Sequence, residues 1–148
     1  MPVDPLPASD IDLNKYAADI DQAMSKGSTV VLATADKQGH VDLGVKGSIF
    51  VFDRDHIAYL ERTRGTHLKN AQENPNVAFY YSNREAAVPN LRLFGEAKVY
   101  ESGELREEIR NRTIAVERDR DSENKGAGVL VRIDKIYEPR GVLIQRNK

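Results

Sequence analysis

Between a predicted strand and a predicted short helix, the chain reads Glu61-Arg62-Thr63-Arg64-Gly65-Thr66-His67-Leu68-Lys69-Asn70. The side chains in this segment that can carry positive charge are Arg62, Arg64, His67 and Lys69. A helix that begins at Thr66 or His67 presents unpaired backbone N–H groups, and the positive end of its dipole, to an anion. The segment therefore predicts a pocket for the phosphate of a small molecule.

Upstream of this segment, the pattern of apolar residues changes from helical to strand-like. After a proline-rich leader, Ser9 or Asp10 is expected to cap a helix that ends at Gly27. Its predicted buried stripe is Leu13, Tyr16, Ala17, Ile20 and Met24. Strand-like runs then cover residues 29 to 35, 40 to 52 and 56 to 61, separated by turns at 36 to 39 and 53 to 55.

Downstream, a short helix near residues 67 to 73 ends at Asn74-Pro75 and leads into further strands. These strands are predicted over residues 76 to 82, 91 to 100, 128 to 133 and 141 to 144, with a loop at 84 to 90. Gly95, inside a well-alternating strand, indicates a bulge or a close backbone approach. Ser102 is expected to cap a helix with the buried stripe Leu105, Ile109, Thr113 and Val116. Residues 117 to 125 are predicted to form a charged linker.

Six or seven short strands joined mostly by hairpins predict an antiparallel barrel with appended helices rather than a doubly wound parallel sheet. A chain of 148 residues fits one domain. We expect residues 28 to 148 to form the barrel, preceded by a leader and helix in residues 1 to 27.

The composition excludes several classes of function. The 22 basic and 23 acidic residues give a formal charge of −1, so no overall field favours nucleic acid or an anionic membrane. The absence of cysteine excludes disulfides, thiolate nucleophiles and iron–sulfur clusters. No histidine has a second ligand at metal-like spacing, so no metal site is predicted. Without a signal peptide or an apolar run of about 20 residues, a cytoplasmic protein is expected.

Five short motifs occur in an order that is typical of one superfamily. They are Ala33-Thr34-Ala35-Asp36-Lys37-Gln38-Gly39-His40-Val41, Val45-Lys46-Gly47-Ser48, Tyr59-Leu60-Glu61-Arg62-Thr63, Leu68-Lys69-Asn70-Ala71-Gln72-Glu73-Asn74-Pro75-Asn76-Val77-Ala78 and Phe94-Gly95-Glu96-Ala97. In this order they resemble the pyridoxamine 5'-phosphate oxidase-like, FMN-binding split-barrel superfamily. The resemblance extends over about residues 28 to 137.

The resemblance implies a six-stranded antiparallel split β-barrel, mainly β with peripheral helices, that forms a homodimer with FMN bound between subunits. In such proteins, residues at the end of one strand and the start of the next short helix hold the flavin phosphate. The matching positions here are Glu61, Arg62, Thr63, Thr66, His67, Leu68 and Lys69. Family members often have Lys or Thr where this chain has His67, so a phosphate contact there is expected to depend on pH.

The resemblance also places Lys46, Gly47 and Ser48 on a strand beside the isoalloxazine ring. A glycine lets the ring approach the backbone, Ser48 can hydrogen-bond the pyrimidine edge or the phosphate, and Lys46 can stabilise an anionic reduced flavin. The structural alternative is a solvated Lys46 beside a bulge at Gly47. For the cationic residues between 62 and 69, the alternative is an exposed surface of ion pairs.

We therefore predict a flavoprotein that binds FMN and acts as an oxidoreductase, transferring electrons or hydride to a small-molecule acceptor. No catalytic residue is assigned, because the flavin would supply the chemistry. The vitamin-synthesising oxidase is disfavoured, since the carboxy-terminal Trp and Arg-x-His features expected of that enzyme do not occur. The alternatives are a flavin carrier or sensor without turnover, and a split barrel that holds deazaflavin or haem.

Overall fold

Eight strands, all paired antiparallel, form one curled sheet in the computed structural model, which describes residues 10 to 146. The strands are β1 (Thr29–Ala35), β2 (Val41–Val45), β3 (Phe50–Val51), β4 (His56–Glu61), β5 (Asn76–Ser82), β6 (Asn90–Tyr100), β7 (Ala127–Tyr137) and β8 (Leu143–Gln145). The α-helices are α1 (Ala17–Ile20), α2 (Thr66–Glu73), α3 (Glu104–Arg112) and α4 (Ala115–Arg120). Short 3-10 turns occur at Leu13–Tyr16, Ala23–Lys26 and Pro139–Gly141.

The sheet has the order β2-β1-β5-β6-β7-β4-β3, and β8 pairs with β7 at the end of β7 that β4 leaves free. Every neighbouring pair is antiparallel, and the sheet curls into a half-barrel. This confirms the predicted split β-barrel with peripheral helices. The strand count differs from the predicted six or seven, because the run from 40 to 52 divides into β2 and the two-residue β3.

The concave face of the sheet holds the main core. Side chains in β1, β5 and β6 alternate, so that one face is buried while the other is open, whereas residues 127 to 131 of β7 are buried on both faces. The buried row that crosses the middle of the sheet is Leu32, Phe79, Leu93 and Ile136. Strand β4 is buried on both faces, because α3 covers its outer side with Leu105 and Ile109.

The predicted N-terminal helix is replaced by three short helical segments. Asp21 is extended, with ψ 130°, and Gln22 adopts a left-handed conformation with φ 56°, so the helix is interrupted there. The Asp21 carboxylate instead accepts a hydrogen bond from the Val51 backbone at 2.8 Å. This tertiary contact overrides the helical pattern, and Met24, predicted to be buried, is 52% exposed. Asp12 caps the first turn, and the candidate cap Ser9 lies outside the described residues.

The predicted charged linker is wrong in part, because it contains most of α4. Helix α3 begins after Gly103, whose φ of 99° suits glycine, and no side chain caps it, so Ser102 is not the cap. The chain leaves the helix at Thr113 and begins α4 two residues later, at Ala115. Val116, expected on the buried stripe, is 53% exposed, whereas Glu117 is buried. Between residues 10 and 146, no helix is both long and apolar enough to cross a membrane.

Gly95 confirms the predicted bulge. The register between β6 and β7 shifts between Phe94 and Gly95, and a Cβ added at Gly95 would lie 2.0 Å from the Arg132 carbonyl oxygen. Only glycine allows the two backbones to come this close.

We expect Gly95→Ala to lower the free energy of unfolding by about 1 to 3 kcal/mol, since the new methyl group must push β7 away. Urea denaturation measures the loss. The matched control is Gly44→Ala in β2, where a Cβ would meet its nearest atom at 3.4 Å, an ordinary contact. Equal stability of the two variants would contradict the close approach at Gly95.

Candidate functional site

Helix α2 begins close to the end of β4, as predicted, and its first turn is open. Gly65 occupies the N-cap position and makes no side-chain hydrogen bond. The Leu68 and Lys69 amides donate to the Gly65 carbonyl at 3.2 and 3.3 Å. The N–H groups of Thr66 and His67 therefore have no acceptor within the helix. Thr66 and Lys69 are exposed and Leu68 is buried, so this end of α2 offers free donors to an anion.

Carboxylates neutralise most of the predicted cationic cluster. The pairs and their N···O distances are Lys46–Glu61 at 2.5 Å, Arg62–Glu117 at 3.2 Å and Arg64–Glu101 at 2.8 Å. Lys69 differs from these, because within residues 10 to 146 it has no ion-pair partner. The predicted excess of positive side-chain charge is therefore small, and Arg64 fits the structural alternative of an exposed ion pair.

His67 faces the sheet rather than solvent. Its Nδ1 lies 2.7 Å from the Thr34 hydroxyl, which also accepts a hydrogen bond from the Asn70 amide at 3.1 Å. The Thr34 hydroxyl can donate to Nδ1 while one of its lone pairs accepts from Asn70. In this arrangement the ring proton is on Nε2, 3.8 Å from the Asp42 carboxylate. Burial lowers the pKa of His67 below its ordinary 6.5, although the nearby Asp42 charge opposes this. His67 is thus neutral at neutral pH and adds no charge to the site.

Glu61 ends β4 and is completely buried. Its Oε2 accepts hydrogen bonds from Lys46 Nζ at 2.5 Å and from the Thr63 hydroxyl at 3.1 Å. Its Oε1 and the buried Tyr59 hydroxyl have no hydrogen-bond partner among the described residues. Burial, and secondarily the Glu61 charge, raises the pKa of Tyr59, which stays protonated. A buried acceptor without a donor is costly, so a ligand or water that supplies a donor would be bound favourably.

Lys46, Gly47 and Ser48 do not lie on a strand, contrary to the expectation. They follow β2 in a turn, and the Ser48 hydroxyl donates to the Leu60 carbonyl at 3.0 Å and accepts from the Leu60 amide at 3.3 Å. This hydroxyl therefore serves the fold.

The open face of Gly47 is covered by another part of the chain. A Cβ at Gly47 would lie 2.4 Å from Glu117 Oε1 and 3.2 Å from Met24 Sδ. The space that the resemblance assigns to the flavin ring thus holds a carboxylate of α4. The cofactor-binding roles of residues 46 to 48 stay predictions.

Sequence reasoning missed Glu117, Thr34 and Asp42 as parts of this site. Thr34 left a readable signal, because it ends the buried row of β1 that begins with Val30 and Leu32. Glu117 left none, since it follows Arg62 by 55 positions and lies among other charged residues.

Two surface depressions lie apart from this cluster. Residues 10 to 146 contain no group of three histidine, cysteine, aspartate or glutamate side chains arranged to hold a metal ion. A surface depression of about 640 Å³ lies along α3, away from the cluster described above, and is lined mainly by glutamates. A second, of about 350 Å³, lies at the Gly95 bulge. Neither contains a residue of the predicted site.

An antiparallel half-barrel with a polar cluster between the end of one strand and an open helix N-terminus defines a split-barrel protein. The sequence profile of the pyridoxamine 5'-phosphate oxidase family matches residues 17–137. The chain belongs to this family. No curated protein matches the sequence.

Solved structures of split-barrel proteins resemble the chain over most of its length. A candidate pyridoxamine 5'-phosphate oxidase from Lactobacillus delbrueckii is 25% identical, with a TM-score of 0.63 over 79% of this chain and 89% of that one. A pyridoxamine 5'-phosphate oxidase-related, FMN-binding protein from Nostoc punctiforme is 12% identical, with a TM-score of 0.66 over 92% and 90%. An F420 reductase is 15% identical, with a TM-score of 0.53 over 73% and 87%. The latter two show the fold alone.

We expect the stability of the protein to depend on His67 in a pH range set by its lowered pKa. In the unfolded chain His67 takes up a proton near pH 6.5, whereas the folded protein resists protonation, so falling pH favours unfolding. As the pH falls from about 7.5 to about 5.5, the free energy of unfolding of the wild type should decrease relative to that of His67→Gln. Urea titrations across this range measure the difference. The control is His40→Gln, which replaces an exposed histidine. If the free energy of unfolding depends on pH in the same way in wild type and His67→Gln, the role assigned to His67 is refuted.

Proposed function

We propose that this protein is a homodimeric flavoprotein that binds FMN non-covalently and passes electrons or hydride to a small-molecule acceptor. The observation that carries the proposal is the open N-terminus of α2 beside the end of β4, in a chain of the pyridoxamine 5'-phosphate oxidase family. The FMN-binding description of the Nostoc punctiforme relative supports the choice of flavin.

The first turn of α2 suits the phosphate group of FMN. The amides of Thr66 and His67 supply backbone donors and the helix dipole favours an anion. The exposed hydroxyl of Thr66 and the ammonium of Lys69 add further donors. Because His67 is neutral and Arg62 is shared with Glu117, backbone groups contribute more to phosphate binding here than the sequence predicts.

The buried groups next to the first turn of α2 suit a ligand that carries hydrogen-bond donors. Glu61 Oε1 lacks a donor among residues 10 to 146, and the ribityl chain of a flavin carries hydroxyl groups that can provide one. Lys46 is held by Glu61, which fixes its ammonium 5.7 Å from the centre of the Tyr59 ring. When bound, the flavin supplies the redox chemistry, and these residues bind and orient it.

The outer face of the sheet supports the proposed homodimer. Val41, Leu43 and Val45 lie on the same side of β2 and are 78%, 68% and 52% exposed. Val45 is opposite Val31 on β1, and Val31 is opposite Tyr80, itself 44% exposed. A continuous apolar face of this kind marks an interaction surface, and a second copy of the chain is the proposed occupant.

A second candidate is a split barrel that uses a deazaflavin. The F420 reductase has the same fold, and a deazaflavin that carries a phosphate makes similar demands on the α2 N-terminus. The absorption spectrum of the freshly purified protein separates the candidates: FMN gives a yellow protein, a deazaflavin absorbs at shorter wavelength, and haem gives a Soret band. Reduction of bound FMN by NAD(P)H, followed by oxidation with a panel of acceptors, then tests for turnover. A flavin that no such donor reduces would contradict the oxidoreductase proposal.

We expect the double substitution Arg62→Ala and Lys69→Ala to weaken FMN binding roughly tenfold or more, while riboflavin binding changes much less. The reason is that only FMN carries the phosphate dianion. Fluorescence titration of both flavins measures the two losses. Arg64→Ala is the matched control, because Glu101 already holds this arginine on the surface. Equal losses for FMN and riboflavin would place the phosphate elsewhere.

We expect Leu43→Glu to convert the proposed dimer to a monomer, since it places a charge in the middle of the apolar face. Light scattering after size-exclusion chromatography gives the mass in solution. Ser122→Glu adds the same charge on an exposed loop and should leave the mass of the dimer unchanged. A wild-type protein that is monomeric at all concentrations would rule out the dimer.

A further inference from the structure

Helix α4 is attached to the barrel in an unusual way. It has six residues, and Glu117 is its only buried one. Val116, the apolar residue beside it, is 53% exposed. Helices this short depend on tertiary contacts for their stability, and such contacts are usually apolar. Here the buried contact is a carboxylate.

The Glu117 carboxylate lies where an anionic ligand is expected. Its Oε2 accepts a hydrogen bond from Arg62 Nε at 3.2 Å, and Arg62 belongs to the predicted phosphate-binding set. Its Oε1 lies against Gly47 and accepts a longer hydrogen bond, 3.3 Å, from Arg120 on the same helix. The side chain is 11% exposed. The Glu117 carboxylate thus pairs with Arg62, a predicted phosphate-binding cation, and also fills the space beside Gly47.

This ion pair is weak enough to be exchanged. Arg62 is 33% exposed and stays in contact with water, so its pair with the 11% exposed Glu117 is not a fully buried one and can be exchanged at modest cost. A phosphate dianion forms stronger, charge-assisted hydrogen bonds with an arginine than a single carboxylate does. No apolar side chain of α4 is buried, and buried Thr113 and Asp121 hold its two ends through hydrogen bonds, so the Arg62–Glu117 pair is the contact that holds the middle of this helix to the barrel.

We propose that Glu117 is an internal competitor for the cofactor site, which the ligand displaces from Arg62 and Gly47 when it binds. Helix α4 then acts as a cover that is closed in the absence of ligand and released by an anionic one. Glu117 sets the affinity of the site, because each binding event must first break the Arg62–Glu117 pair. This inference rests on the proposed binding of FMN at this site.

The test compares flavin binding by the full-length wild-type chain, Glu117→Gln and Glu101→Gln. Glu117→Gln keeps the shape of the side chain and removes its charge, so Arg62 becomes available. We expect FMN to bind about fivefold more tightly to Glu117→Gln than to wild type, the factor that corresponds to an ion pair of this kind. Riboflavin should gain less, because it lacks the phosphate that Arg62 would hold. Glu101→Gln removes the carboxylate that pairs with the neighbouring Arg64 and should leave FMN affinity unchanged.

A second measurement needs no variant. Hydrogen–deuterium exchange of the wild-type protein should become faster in residues 115 to 120 when FMN is added, and slower in α2. Ligand binding normally protects a contacted segment, so faster exchange in α4 is specific to its displacement. Protection of α4, or unchanged exchange there in the presence of bound FMN, would overturn the inference.

The outcomes distinguish this inference from the proposed function. Equal FMN affinity in wild type, Glu117→Gln and Glu101→Gln would overturn the role of Glu117 and leave FMN binding intact. Binding of FMN by Glu117→Gln but not by wild type would support both. Absence of FMN binding in all three proteins would overturn both.

Discussion

The open side of the half-barrel is bridged by side chains rather than by strand pairing. Strands β2 and β3 lie at opposite ends of the sheet, and among the described residues no ladder joins them. The turn after β2 is instead attached to β4 by the hydrogen bonds of Ser48 with Leu60 and by the buried Lys46–Glu61 ion pair. A buried pair is tolerated only when its geometry is good, and removal of one partner leaves a desolvated charge. The candidate site is built on this bridge, so its polar groups serve the fold as well as the ligand.

The strands and the junction of β4 with α2 could be predicted from the sequence because both depend on local patterns. Alternation defined β6, a β-rich run defined β1, and the sequence around Gly65 located the junction of β4 and α2. The errors arise where a residue far away in the sequence determines a backbone conformation or pairs with a charge. Asp21 leaves the helical conformation to bind the Val51 amide, and Glu117 neutralises Arg62 from 55 positions away. Such partners leave no trace in a local window, so the sequence indicated where the cations lie but not that they are paired.

The charges at the site differ from those of the basic pocket that the sequence predicts. With His67 neutral and most of the cations paired, the local positive potential comes from the open end of α2 more than from formal charges. The Thr34 hydroxyl, which also accepts a hydrogen bond from Asn70, holds the His67 ring close to the sheet. A site of this kind depends less on salt and pH than one made of lysine and arginine alone, because amide dipoles do not titrate and are fixed by the fold.

Strand β2 connects the proposed dimer interface to the site, because its two faces serve different purposes. Val41, Leu43 and Val45 face outward, whereas Asp42 approaches His67 Nε2 to 3.8 Å and Gly44 leaves room for the same ring. β2 is an edge strand, paired only with β1 among the described residues, and edge strands are held less firmly than central ones. A second copy packed on the outer face would fix the position of β2, and with it the distance between Asp42 and His67. Formation of the proposed dimer would therefore be coupled to the order of the site through one strand, even where no partner residue touches the ligand.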